Sequence, residues 1–208
     1  MINNKWILNN LLSKSEIYQI VNLIKERASV SNLSELNNYV ANKSYDDLQK
    51  LSSIITKDEL YLNIRDNVFK IIEEKFEVKI KAFPVNGLRI VSFKNETLAP
   101  WHQDEGTWSH HSYLSNQNPI TCWIPIKANK KNTLQLCLDN IPIKKHDRND
   151  LKQSFAKFNE KEIKNSVIID PMPGSGYFFT SYQPHRSYKI GNDFDLRISI
   201  DFRFIMIN

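Results

Sequence analysis

A chain of 208 residues, 41% hydrophobic and 25% charged, has the size and balance of one globular domain with a real core. Its five glycines exclude a repeat or low-complexity architecture, and two cysteines, Cys122 and Cys137, in neither metal nor redox spacing, exclude a disulfide scaffold. The formal charge of +5 is densest in "KANKK" (127–131) and "KKHDR" (144–148), which read as solvated loops rather than as a nucleic-acid surface.

The N-terminal stretch "MINNKWILNNLLSKSE" lacks the apolar region and small-residue cleavage site of a signal peptide. No apolar run approaches the ~20 residues that span a bilayer. The expected setting is the cytoplasm, where both thiols stay reduced and pack as small apolar groups.

To about residue 76 the pattern is helical. Ile17, Ile20, Val21 and Ile24 form a stripe at helical spacing, and Ser13 with Glu16 has the form of a capping box. Leu48, Leu51, Ile54 and Ile55 repeat the stripe behind a cap at Ser44, with Asp47 three residues on. A third helix is expected in "KDELYLNIRDNVFKIIEEKF", with Leu60, Ile64, Val68, Ile71 and Ile72 on one face. The polar stretch "SNLSELNNYVANK" between the first two reads as a loop or a short helix.

From residue 77 the period becomes that of strands. "EVKIKAF" alternates, "NGLRIVSF" follows a turn signal at Asn86-Gly87, and "ITCWIPI", "TLQLCL", "SVIID", "GYFFTS" and "LRISIDFRFIMI" follow. Helices followed by strands argue for an α+β chain, and seven or eight strands with long connections suit a jelly roll or related barrel. The expectation is one domain over 1–208, with N-terminal helices (1–76) packed on a β core (77–208).

The chemistry is concentrated in "LAPWHQDEGTWSHHSYL" (98–114). His102 and Asp104 stand two residues apart, and a strand would project both to one face. His185, in "SYQPHRSYKIGNDFDLRISIDFRF", would complete two imidazoles and one carboxylate, a set that holds one face of an octahedral iron(II) and leaves the other open. Twelve residues further on, Arg197 and Ser199 alternate with Leu196, Ile198 and Ile200, so a guanidinium and a hydroxyl share a face suited to a carboxylate. Each has a plainer reading. A lone His-x-Asp is more often surface chemistry or a helix cap, and Arg197 could serve an ion pair with Asp195 or Asp201. Arg89 could bind an anion or be structural. Trp101 and Trp108 suit packing or recognition alike, and His110 and His111 read as a polar loop near the site mouth, with Tyr113 close by.

His-Gln-Asp, a distant His and Arg-x-Ser a dozen residues later together resemble the iron(II)/2-oxoglutarate-dependent oxygenases. Within them, "CWIPIKANKKNTLQL" and "PHRSYKIGNDFDLRISIDFRF" make the phytanoyl-CoA dioxygenase-like family the nearest in character, over residues 84 to 205. The resemblance implies a double-stranded β-helix core and His102, Asp104 and His185 as iron ligands. It also implies Arg197, with Ser199, against the distal carboxylate of 2-oxoglutarate, and Trp123 against the cosubstrate. The cofactors implied are Fe(II), 2-oxoglutarate and O2, and the reaction is hydroxylation of a small organic molecule with release of succinate and CO2. The carboxylate at Asp104 favours hydroxylation over halogenation, and the lean apolar composition favours a polar metabolite as substrate. One departure stands out: the family's "viPGSH" ending is missing, and His146 stands near where its histidine falls. A cupin-type metal enzyme without 2-oxoglutarate, a nucleic-acid demethylase, and a sheet protein without catalysis are the rivals.

Overall fold

The computed structural model describes residues 7–85, 87–91, 99–108, 117–143, 160–191 and 196–207. Four helices come first: α1 (Lys14–Ala28), α2 (Leu33–Ala41), α3 (Tyr45–Ile55) and α4 (Glu59–Phe76). The Ser13 hydroxyl accepts from the Glu16 amide while the Glu16 carboxylate accepts from the Ser13 amide, so the capping box forms. Ser44 caps α3 through the Asp47 amide, and Asn32 caps α2, so the polar stretch between α1 and α3 is helical. Two stripe residues turn outward: Ile54 is 56% exposed and Ile71 40%. On α4 the inward face is instead Tyr61, Ile64, Val68, Phe69 and Ile72, because aromatic neighbours widen the buried arc beyond the aliphatic stripe. Among the described residues, no helix is long and apolar enough to cross a membrane.

The strands are β1 (Ile7–Leu8), β2 (Lys79–Ala82), β3 (Gly87–Val91), β4 (Ile120–Lys127), β5 (Asn132–Cys137), β6 (Ser166–Ile168), β7 (Gly176–Thr180), β8 (His185–Lys189) and β9 (Arg197–Ile207). A short helix, α5 (Asp104–Trp108), precedes β4. All seven expected runs contain strands; β1 and β8 are additional. The larger sheet runs β1-β7-β4-β9-β2, with β3 also on β9, and the smaller runs β6-β5-β8. All pairings are antiparallel. Despite the Asn-Gly signal between them, β2 and β3 each pair with β9, opposite its distal and proximal halves.

Alternation along β9 divides the interior. Ile198, Ile200, Phe202 and Phe204 join Cys122, Ile124 and Ile126 of β4, Leu88 and Ile90 of β3 and the helices in one core. Trp123, Tyr177 and Phe179, from the other face of the larger sheet, pack with Leu134, Leu136 and Ile169. The layers are therefore helices, larger sheet, smaller sheet, and residues pointing between the two sheets are left to build a site.

Candidate metal centre

His102 and His185 face each other as an antiparallel bridge pair, each donating its amide to the other's carbonyl at 3.0 and 2.9 Å. With Ser187 donating to the Ala99 carbonyl at 3.0 Å, the segment at 99–102 extends the smaller sheet beyond β8. Asp104 does not continue that strand. It opens α5, and the Glu105 amide is tied to the Ser181 carbonyl at 3.0 Å. The expectation that one strand projects both His102 and Asp104 is therefore corrected. A bridge followed by a helical turn brings them to one point, so proximity comes from the turn rather than from strand periodicity.

The three side chains are buried, and one ligand atom from each lies within 4.8 Å of the others. Asp104 Oδ1 is 3.8 Å from His102 Nε2 and 3.9 Å from His185 Nε2. Two bonds of ~2.1 Å at a right angle would set such atoms ~3.0 Å apart, so an ion would draw the cluster in slightly. The two imidazoles are oriented alike. His102 Nδ1 sits 2.8 Å from the Pro100 carbonyl and His185 Nδ1 3.0 Å from that of Gln183. A carbonyl only accepts, so each Nδ1 carries the proton and each Nε2 turns a lone pair inward. Burial, helped by His185 alongside, pushes the His102 pKa down to about 3 and keeps its ring neutral. For Asp104, burial alone would raise the pKa. Arg203, together with His185, His102 and Arg89, outweighs it and holds the carboxyl well below the usual carboxylate range.

Beside the triad lies a pocket lined by Arg89, Trp123, Phe179, Arg197, Ser199 and Asp201, among others. Arg197 is 4% exposed and no carboxylate among the described residues pairs with it. It donates from Nη1 to the Thr133 carbonyl at 2.7 Å and from Nη2 to the Ser187 hydroxyl at 2.8 Å. Its Nε and the hydroxyls of Ser199 and Thr133 are buried without a hydrogen-bond partner among the described residues. Burial lowers the Arg197 pKa to about 10, which leaves it charged at neutral pH. Buried polar atoms are nearly always satisfied, and a buried charge nearly always has a counter-charge, so this cluster has the form of an anion receptor. Counting Asp104, three guanidiniums face two carboxylates, leaving one net positive charge.

Of the expected residues, His102, Asp104 and His185 converge, and Arg197, Ser199 and Trp123 line the adjoining pocket. Arg89 lines it too, with Nε 3.4 Å from Asp201 Oδ2, so it is both ion-paired and at the pocket. His110, His111, Tyr113 and His146 lie outside the described residues. Trp101 is buried, with the Arg186 guanidinium 4.9 Å from its ring centre. Three residues went unpredicted: Ser187, two beyond His185 on β8; Thr121, two before Trp123 on β4; and Arg203, four beyond Ser199 on β9. Strand alternation from a known site residue would have found each.

No family model matches the chain, and no curated protein matches it in sequence. Solved structures do. The epimerase SnoN, determined with Fe3+, alpha ketoglutarate and nogalamycin RO, matches at TM-score 0.62 and 9% identity over 96% of this chain and 77% of its own. The alpha ketoglutarate-dependent carbocyclase SnoK from nogalamycin biosynthesis matches at 0.60 and 11% over 96% and 78%. EvdO2 from Micromonospora carbonacea var. aurantiaca, complexed with 2-oxoglutarate, matches at 0.54 and 12% over 97% and 85%. The chain shares their fold. Its helices, its two antiparallel sheets and its His-Asp-His cluster thus occur on a scaffold that, in SnoN and SnoK, belongs to non-haem alpha ketoglutarate-dependent enzymes.

Proposed function

We propose that this chain is a single-domain iron(II)- and 2-oxoglutarate-dependent oxygenase of the phytanoyl-CoA dioxygenase-like kind, its two sheets forming a double-stranded β-helix. The observation that carries this reading is the pairing of a buried His102/Asp104/His185 cluster with a buried, charged Arg197 that has, among the described residues, neither a partner for its Nε nor a counter-ion. A metal site alone would fit a cupin-type enzyme; the anion receptor beside it fits a dicarboxylate cosubstrate. SnoN, crystallised with Fe3+ and alpha ketoglutarate, and EvdO2, crystallised with 2-oxoglutarate, add support.

The residues fit the groups this reading requires. Two imidazole nitrogens and one carboxylate oxygen suit Fe(II), whose chemistry with 2-oxoglutarate and O2 is oxidation of a substrate coupled to release of succinate and CO2. The carbonyls at Pro100 and Gln183 hold both rings in the tautomer that binds metal. Arg197 and Ser199 would receive the distal carboxylate of the cosubstrate. Trp123, Leu134 and Phe179 wall the pocket and keep water from that contact. With a carboxylate at position 104, hydroxylation of a small polar metabolite is the outcome we assign.

Anaerobic addition of Fe(II) and then 2-oxoglutarate tests this, read by the weak visible charge-transfer band of an iron–oxoacid chelate. The wild type should show the band and His185→Ala should lose it. Arg197→Ala should need ~30-fold or more additional 2-oxoglutarate, the equivalent of ~2 kcal/mol. Metal binding without a band would point to a cupin-type enzyme instead. No metal binding would make the cluster structural.

A further inference from the structure

Asp104 turns its two oxygens to different neighbours. Oδ1 faces the imidazoles, whereas Oδ2 accepts from Arg203 Nε at 3.1 Å and Thr121 Oγ1 at 3.2 Å and lies 3.0 Å from Arg203 Nη2. Thr121 and Arg203 are themselves directly opposed across β4 and β9, so the sheet register brings their donors to the same oxygen. Arg203 is 4% exposed and held from behind: its Nη1 donates to the Val85 carbonyl at 3.3 Å, and Nη2 lies 3.6 Å from Asp201 Oδ2. An oxygen saturated by three donors has little left to offer an ion.

We infer that Arg203, assisted by Thr121, is a positioning residue of the metal centre. It fixes Asp104 as a ligand through one oxygen and so sets the number of positions left open. Two imidazoles and one carboxylate oxygen occupy three of six octahedral positions; a carboxylate free to swing its second oxygen inward would take a fourth. Two open positions would hold a chelating oxoacid but leave none for oxygen. The inference rests on the reading of His102, Asp104 and His185 as metal ligands. A residue that served the fold alone would have no reason to place two donors and a cross-strand hydroxyl on the oxygen turned away from the imidazoles.

Anaerobic Co(II) titration tests it, followed by calorimetry and by the visible d–d bands that report coordination number. The proteins are the wild type, Arg203→Met, Arg203→Lys and Thr121→Val, each checked for folding by circular dichroism. Arg203→Met should bind Co(II) about 10- to 100-fold more weakly, with altered d–d bands. Arg203→Lys should recover part of the affinity, and Thr121→Val should lose about tenfold, the equivalent of one hydrogen bond to a charged group. A folded Arg203→Met with wild-type affinity and bands would overturn the inference while leaving the metal site standing. Should Arg203→Met not fold, unchanged affinity and bands in both other variants would overturn it equally. A wild-type chain that binds no Co(II) would overturn the metal reading and this inference with it.

Discussion

His102 and Arg197 are both ionisable groups under heavy burial, and the proton-linked consequences differ. An unfolded histidine titrates near 6.5, whereas folded His102 does so near 3. Between those values the unfolded chain binds a proton that the folded chain refuses, so metal-free protein loses stability as pH falls through that window. Asp104, whose pKa is also depressed on folding, adds a loss of the same sign below its ordinary value near 3.8. The urea midpoint of the metal-free chain should accordingly be lower at pH 5 than at pH 7, and His102→Gln should flatten the difference. The arginines separate by their partners. Arg197 pairs with no carboxylate among the described residues, so Arg197→Met strands none of their charges, and the thermal midpoint of the metal-free chain should stay unchanged or rise while 2-oxoglutarate binding falls. Arg203→Met strands Asp104, while Asp201 keeps Arg89 as a partner, and should cost ~3–5 kcal/mol in denaturant unfolding.

Among elements, β9 contributes most to both stability and site. Its even positions from 198 to 204 enter the helix-side core, and its odd positions from 197 to 203 supply two guanidiniums, a hydroxyl and a carboxylate to the pocket. A one-residue slip would exchange the two sets, which pins its register against β3 and β4. Among the described residues, helices α1 to α4 supply none of the triad or pocket residues, and their ends can be altered independently. Ser13→Ala, which removes the capping box of α1, should cost ~1 kcal/mol in urea unfolding and leave the iron–oxoacid band intact. The pattern of β9 was legible because apolar and polar residues alternate without a break from Leu196 to Phe204. That of β8 was not: "HRSYK" has no apolar run, since its buried position is a histidine and its neighbours are half-exposed.

For the whole molecule, the larger sheet separates a structural interior from a chemical one. Phe202 lies between Tyr61 and Phe69, with ring centres 5.5 and 5.9 Å away, on the side remote from the triad. Phe202→Ala should destabilise the protein by ~3–5 kcal/mol, while the folded fraction binds Co(II) with unchanged affinity. Calorimetric titration at a temperature well below its unfolding transition checks this. The layering also accounts for the charge at the centre. A guanidinium buried between two sheets without a carboxylate partner among the described residues adds little to stability, which is consistent with the anion-receptor role proposed for Arg197.

The sequence by itself determined most of the elements and the first candidates for the site. Helical stripes, capping serines, strand alternation and the order His-x-Asp, His, Arg-x-Ser are local patterns, and local patterns follow from backbone period and side-chain type. Only the tertiary structure decided where those residues meet. It turned Asp104 into a helix rather than along a strand, set His102 opposite His185, and laid both β2 and β3 on β9. It also directed Arg203 and Thr121 to one oxygen of Asp104 and gave Arg197 neutral partners instead of a carboxylate. Those outcomes depend on pairings between residues as far apart as Lys79 and Ile207, which the register of the sheets sets and no local period encodes.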